Sequence, residues 1–321
     1  KRQILYGVIP GVICFLILAR VKYDYWRKMS WVFYFGSIAL MAMVFFPGVG
    51  LELNGSHSWL NIFGYSFQPA EMAKLGLVVT AAALLSNKKR DLQDWQNGLL
   101  PVLVILAPIL VLVLAQPDVG TLSILVIILF AMLFVAKVPK MYLFVLGVLG
   151  AAVLVAMVFA APYRLQRLTV FLHPELDPQG IGYHINQAFL AIGSGGFWGL
   201  GLGNSLQKYQ YLPEVSADSV YAVLAEELGF LFAAGLIVLI LATVWRGLKI
   251  AKTTEDDFGR LLVVGIMSWF AWQSFLNIGA MVGVMPLTGV PLPFVSHGGT
   301  ALMTALAAAG IVANVSRENS Y

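Results

Sequence analysis

Charge is scarce in this chain. Asp, Glu, Lys and Arg make up 11% of its 321 residues, against 60% hydrophobic, where a soluble domain carries about 25% charged residues. That shortage excludes a water-soluble fold. Cysteine is scarcer still: Cys14 stands alone, which excludes an intrachain disulfide and a cysteine metal cluster. Two of the four histidines, His57 and His297, have no partner at metal-ligand spacing. No P-loop, dinucleotide fingerprint or HExxH run occurs, and nothing suggests a nucleic-acid partner.

What the chain has instead is long apolar runs, with a mean hydropathy of +0.84. Runs of about 20 apolar residues match the ~30 Å hydrocarbon core of a bilayer. Nine spans are predicted, over 4–20, 30–47, 69–86, 98–115, 119–136, 141–161, 220–245, 261–285 and 298–315. The expected fold is all-α: one polytopic helical membrane domain over 1–321, since a membrane barrel would show short alternating segments. If the spans alternate, 14 of the 20 Lys and Arg residues fall on one side. The positive-inside rule makes that side, and with it the C-terminus, cytoplasmic. The chain then starts outside, which implies a ten-span parent whose first span precedes Lys1.

The opposite side carries the loops of interest. The longest is about 162–219, where Ile185, Phe189 and Ile192 fall at helical spacing and predict a helix lying in the interface. Residues 285–299, MPLTGVPLPFVSHGG, hold Pro286, Pro291 and Pro293, which forbid a continuous helix. Irregular backbone at membrane depth is tolerated only when buried in protein or lining a wet cavity, so a re-entrant, cavity-walling segment is expected there.

The ionisable residues at span edges are the candidates for chemistry, because a carboxylate in a membrane costs roughly 2.5–3.5 kcal/mol to insert. Asp218, before the apolar run Val220 to Leu224, is either a helix N-cap or a general base. Glu226 and Glu227 are adjacent and cannot share one helix face; a structural role is expected for both, one of them supporting a loop backbone. Asp118 is either an N-cap or a cavity carboxylate. Glu71 and Lys74, three apart, predict an internal ion pair. Arg164 and Arg167, with Lys208, either clamp an anionic head group or anchor the interface. Trp59 either stacks on a sugar or joins the aromatic belt.

Six ordered runs carry a resemblance: NGSHSWLNIFGYSFQPAEMAKL (54–75), QPDVGT (116–121), YRLQRLTVFLHPELDPQGIGYHINQ (163–187), GSGGFWGLGLGNSLQKYQYLPE (193–214), AEELGF (225–230) and PLTGVPLPFVSHGG (286–299). Nearly end to end, the chain resembles the SEDS family of bacterial cell-wall polymerases (FtsW, RodA, SpoVE), and the GNSLQKYQYLPE run looks most like the division branch. The family motif H-T-D-F-I-F reads Ser216-Ala217-Asp218-Ser219-Val220-Tyr221 here. The aspartate is kept and its neighbours are changed. The tyrosine of the family's S-Y-G-G motif is replaced by His297, beside Ser296.

The resemblance implies a multi-pass protein of the bacterial cytoplasmic membrane that polymerises lipid II on its outer face, in division or cell-shape maintenance. Asp218 would be the catalytic base. Arg164, Arg167 and Lys208 would meet pyrophosphate charge. Asp118, Trp59, Glu71, Lys74, Glu214, Ser296 and His297 would contact substrate or shape its cavity. A divalent cation, Mg or Mn, near Asp118 or Asp218 would share the charge, with no organic cofactor. The implied partners are a class B penicillin-binding protein and other division or elongation proteins. The rival readings are a lipid II flippase and a catalytically weak scaffold that activates the transpeptidase.

Overall fold

The structure, a computed structural model, describes residues 3–53, 56–62, 65–207 and 218–319. Each of the nine predicted runs coincides with a helix. In chain order these are α1 (Ile9–Leu18, preceded by a π turn at Ile4–Val8), α2 (Asp24–Lys28), α3 (Ser30–Met43), α4 (Pro69–Leu85), α5 (Leu100–Ala115), α6 (Val119–Val135), α7 (Lys140–Phe159), α8 (Pro162–Leu172), α9 (Ile181–Ser194), α10 (Val220–Thr253), α11 (Asp257–Met281) and α12 (Gly299–Glu318). Five described helices are long and apolar enough to cross a membrane. The fold is that of a helical polytopic membrane protein.

One region differs from the expectation. Between α3 and α4 the chain forms a three-stranded antiparallel sheet, β1 (Gly50–Leu53), β2 (Ser56–Ile62) and β3 (Tyr65–Phe67), in the order β1-β2-β3. β1 and β2 pair Gly50 with Leu60 and Leu51 with Trp59, with a register shift after Leu51. The sheet escapes an all-helical reading because strands this short give little periodic signal beside the long apolar spans.

The chain divides into two compact units. The first comprises 1–154, 245–270 and 299–321. Its centre is α4, of whose residues all but Met72 and Ala83 are buried. A helix apolar on every side belongs in the middle of a bundle, and α3, α5, α6 and α12 pack around it. α1 lies against α12. There Gly310 lets the backbone of Phe15 approach closely, the small-residue contact that membrane helices use in place of a hydrophobic driving force.

The second unit comprises 155–244 and 271–298. Its core is Ala188 and Ala191 of α9, Tyr221, Ala222, Val223, Ala225 and Ala233 of α10, and Ala280 and Met281 of α11. Alanines bring the backbones close and make a rigid seat. The helical spacing of Ile185, Phe189 and Ile192 is realised in α9, where Ile185 is buried and Ile192 packs against this core. The three prolines act as expected: no regular helix or strand occurs over 282–298.

Candidate active site

The second unit gathers the polar residues of four segments around Asp218. Asp218 is half-buried and precedes α10. The carbonyl of the next residue, Ser219, accepts the first helical N–H groups, from Ala222 at 3.0 Å and Val223 at 3.3 Å. Ser219 therefore opens the helix and Asp218 stands just outside it.

Four side chains hold this turn and the loop beside it. Asn277 of α11 donates from Nδ2 to the Asp218 carbonyl at 3.0 Å and to the Val290 carbonyl at 2.8 Å. One turn earlier, Gln273 donates from Nε2 to the Pro291 carbonyl at 2.8 Å. Residues four apart share a helix face, so one face of α11 satisfies the loose carbonyls of the proline-rich run. An unsatisfied carbonyl there would be costly. Arg167 of α8 donates to the Leu287 carbonyl at 3.3 Å. From α9, His184 Nε2 is hydrogen-bonded to Ser219 Oγ at 2.7 Å. Burial, and then the positive charge of Arg167, hold the His184 pKa below its ordinary value, so the ring is neutral near neutral pH.

His184, Gln273 and Asn277 were not among the residues expected at the site. His184 is a single histidine in a loop motif. The other two carried a signal: two amides four residues apart inside an otherwise apolar span, where polar side chains are costly and face the interior.

Glu226 and Glu227 sit just before a break in α10. Gly229 has φ 78° and ψ 179° and interrupts the helix. The groups freed by the break are taken up by the loop after α9. Leu200 and Gly201 N–H donate to the Glu226 and Glu227 carbonyls at 3.0 and 2.9 Å, while Phe230 and Leu231 N–H donate to the Gly196 and Phe197 carbonyls at 2.9 and 3.4 Å. The Glu226 carboxylate accepts from Ser205 Oγ at 2.5 Å, Leu206 N at 3.0 Å and Gln207 N at 3.4 Å. This is the loop-supporting role expected for one of the pair. Glu227 is buried beside it.

In the first unit, Lys74 and Glu71 form the expected ion pair, 2.7 Å apart and both buried. The Lys74 ammonium also lies 4.8 Å from the centre of the Trp269 ring. Asp118 is the N-cap of α6: its carboxylate accepts from Thr121 N at 2.9 Å and Thr121 Oγ1 at 2.7 Å. Trp59 is half-buried on β2.

Two of the expected residues bond to nearby backbone. Arg164 donates to the Met157 carbonyl at 2.7 Å, near the end of α7. Ser296 is buried, and its hydroxyl accepts from Leu292 N at 2.7 Å. It holds a turn, while the neighbouring His297 is exposed. Lys208, Glu214, Ser216 and Ala217 lie outside the described residues. No group of three or more His, Cys, Asp or Glu able to hold a metal occurs among the described residues.

Known proteins point the same way. A family model described as "Cell cycle protein" (FtsW/RodA/SpoVE) matches residues 1–321. The chain is 39% identical over 321 residues to stage V sporulation protein E of Bacillus subtilis (strain 168), covering 100% of this chain and 87% of that one. It is 36% identical over 316 residues to a probable peptidoglycan glycosyltransferase FtsW of Geobacter sp. (strain M18), covering 98% and 86%. Among solved structures, a chain from work on "structural coordination of polymerization and crosslinking by a peptidoglycan synthase complex" matches with TM-score 0.80 and 28% identity over 99% of this chain and 89% of that one. The rod shape determining protein RodA of Thermus thermophilus matches with TM-score 0.70 and 28% identity, over 97% and 85%. Sequence and fold agree along the whole chain: it belongs to the FtsW/RodA/SpoVE family.

Proposed function

We propose that this chain is a peptidoglycan glycosyltransferase that polymerises lipid II on the outer face of the bacterial cytoplasmic membrane, with its C-terminus in the cytoplasm. The observation that carries the reading is the anchored turn that bears the Asp218 carboxylate. Asp218 stands outside its helix, with its own carbonyl anchored by Asn277. Gly289 of the proline-rich loop is close enough that a Cβ there would lie 3.5 Å from Asp218 Oδ2. The loop that faces it is held by Gln273, Asn277 and Arg167. A base held this rigidly can be aligned with one hydroxyl.

In this reading Asp218 takes the proton from the 4-hydroxyl of the acceptor's N-acetylglucosamine. The hydroxyl oxygen attacks the anomeric carbon of the donor's N-acetylmuramic acid with inversion. The bond from that carbon to the pyrophosphate oxygen breaks, and undecaprenyl pyrophosphate leaves. Arg167, bonded to the loop that faces Asp218, stabilises the charge that develops on the leaving group. Relatives at 36% identity carry the glycosyltransferase name, and the synthase-complex match supports a crosslinking partner of the class B penicillin-binding type.

The test is glycan-strand synthesis from purified lipid II, with the cognate transpeptidase present. Wild type is expected to make polymer, and Asp218→Asn to lose about 10²–10⁴-fold in rate. Equal synthesis by both would move the base elsewhere. No synthesis by either would favour the scaffold or flippase.

A further inference from the structure

His184 reaches the Asp218 turn from the long loop. It does so through Ser219, the position where the family motif carries phenylalanine. A phenylalanine cannot accept or donate such a bond, so the contact belongs to this chain's own version of the site. The geometry points to His184 as a positioning residue: its bond to Ser219 Oγ at 2.7 Å locks the turn that presents Asp218. This rests on the polymerase reading above and adds the residue that holds its base in line.

Two alternatives for the pair are excluded by burial and geometry. A serine hydrogen-bonded to a neutral histidine resembles an activated nucleophile, but Ser219 is 0% exposed, and no donor sugar can reach its oxygen. A purely local cap is excluded by distance along the chain: the bond joins residues 35 apart and ties α9 to α10. α9 is itself seated in the alanine core by Ala188 and Ala191, so it is a firm strut. With the Asn277 bond to the Asp218 carbonyl, the turn is held from two directions, one bond on each of two successive residues.

Such a role has a specific kinetic signature. Misplacing a reacting group by about 1 Å costs on the order of 10²-fold, and the loss falls on the chemical step rather than on substrate binding. The experiment compares His184→Ala, His184→Gln, Ser219→Ala and the double His184→Ala/Ser219→Ala in lipid II polymerisation, with unfolding temperature recorded for each. His184→Ala and Ser219→Ala should each lower kcat by about 10–100-fold with KM nearly unchanged. The double variant should be no worse than either single one, because both remove the same bond. Glutamine places an amide that can donate or accept near the Nε2 position, whichever way the His184–Ser219 bond runs, and should restore kcat to within a few-fold of wild type.

Wild-type kcat in His184→Ala overturns the inference. So does a silent Ser219→Ala beside an impaired His184→Ala, an additive double variant, or a loss confined to KM. If His184→Ala fails to fold, Ser219→Ala and His184→Gln decide by the same criteria. Failure of the underlying reading looks different: wild type itself then makes no polymer, which removes the base and its positioning residue together.

Discussion

Lys74 Nζ lies 2.7 Å from Glu71 Oε1, with the lysine side chain 0% and the glutamate 2% exposed. The pair sits on α4, the helix at the centre of its unit, against the face of Trp269. Glu71 Oε2 has no partner among the described residues. Removing one member of a buried pair strands the other charge, at roughly 3–5 kcal/mol. Glu71→Leu and Lys74→Met should each lower the unfolding temperature sharply, whereas the double variant should recover most of the loss. Full recovery of stability with lost polymer synthesis would assign the pair to the substrate cavity; recovery of both would make it a fastening only. A double variant as unstable as either single one would contradict the pairing argument.

Gly229 and Gly199 meet where α10 breaks. A Cβ on Gly229 would press into Gly199 N and lie 2.6 Å from Phe197 O, and its φ of 78° suits glycine. Gly229→Ala should cost roughly 1–3 kcal/mol from the backbone alone, with further loss as the loop is pushed away. Around Gly235, on the same helix, nothing lies within 4 Å of where a Cβ would stand, so Gly235→Ala should be neutral or mildly stabilising. Thermal unfolding of the two variants side by side checks this, and equal behaviour would show that the break is not held by the glycine contact.

Glu226 accepts three hydrogen bonds from 205–207. Hydrogen bonds to a charged group are worth roughly 1.5–3 kcal/mol each. Glu226→Ala should therefore free the amides of Leu206 and Gln207, measured as faster hydrogen–deuterium exchange there, with a lower unfolding temperature. Unchanged exchange at those two amides would remove Glu226 from its loop-supporting role.

The helices were legible because burial in lipid demands long apolar runs, and every such run became a helix. Local arrangements were legible in part: the Glu71–Lys74 pair follows from a spacing of three along a helix, and an N-cap is one of the two roles read for Asp118. What stayed hidden depends on long-range geometry. The His184–Ser219 bond spans 35 residues, and nothing in either local motif announces it. The break at Gly229 needs the carbonyls of Gly196 and Phe197 from another segment; in the sequence AEELGF it reads as one more helical residue. Arg164 reads in sequence only as a clamp or an interfacial anchor, and nothing in its motif announces the bond it makes to the Met157 carbonyl at the end of α7.

His184 makes the fold's stability depend on pH, and the sign follows from its surroundings. Burial and then Arg167 lower its pKa from the usual 6.5, so the folded state prefers the neutral ring. Below pH 6.5 the unfolded chain binds a proton that the folded chain resists. Stability from this group is thus fully present above pH 6.5 and is lost progressively as pH falls through the folded pKa. Arg167 is the positive group that faces it, from α8, and Ser219 is its hydrogen-bond partner. A titration of the unfolding temperature from about pH 8 to about pH 5 should fall more steeply in wild type than in His184→Gln, which cannot take up the proton. Arg167→Gln should flatten the wild-type slope in part, since the smaller of the two causes is then gone. Parallel curves for wild type and His184→Gln would mean that the acid sensitivity resides in the carboxylates common to both, and that the His184 ring is free to charge where it stands.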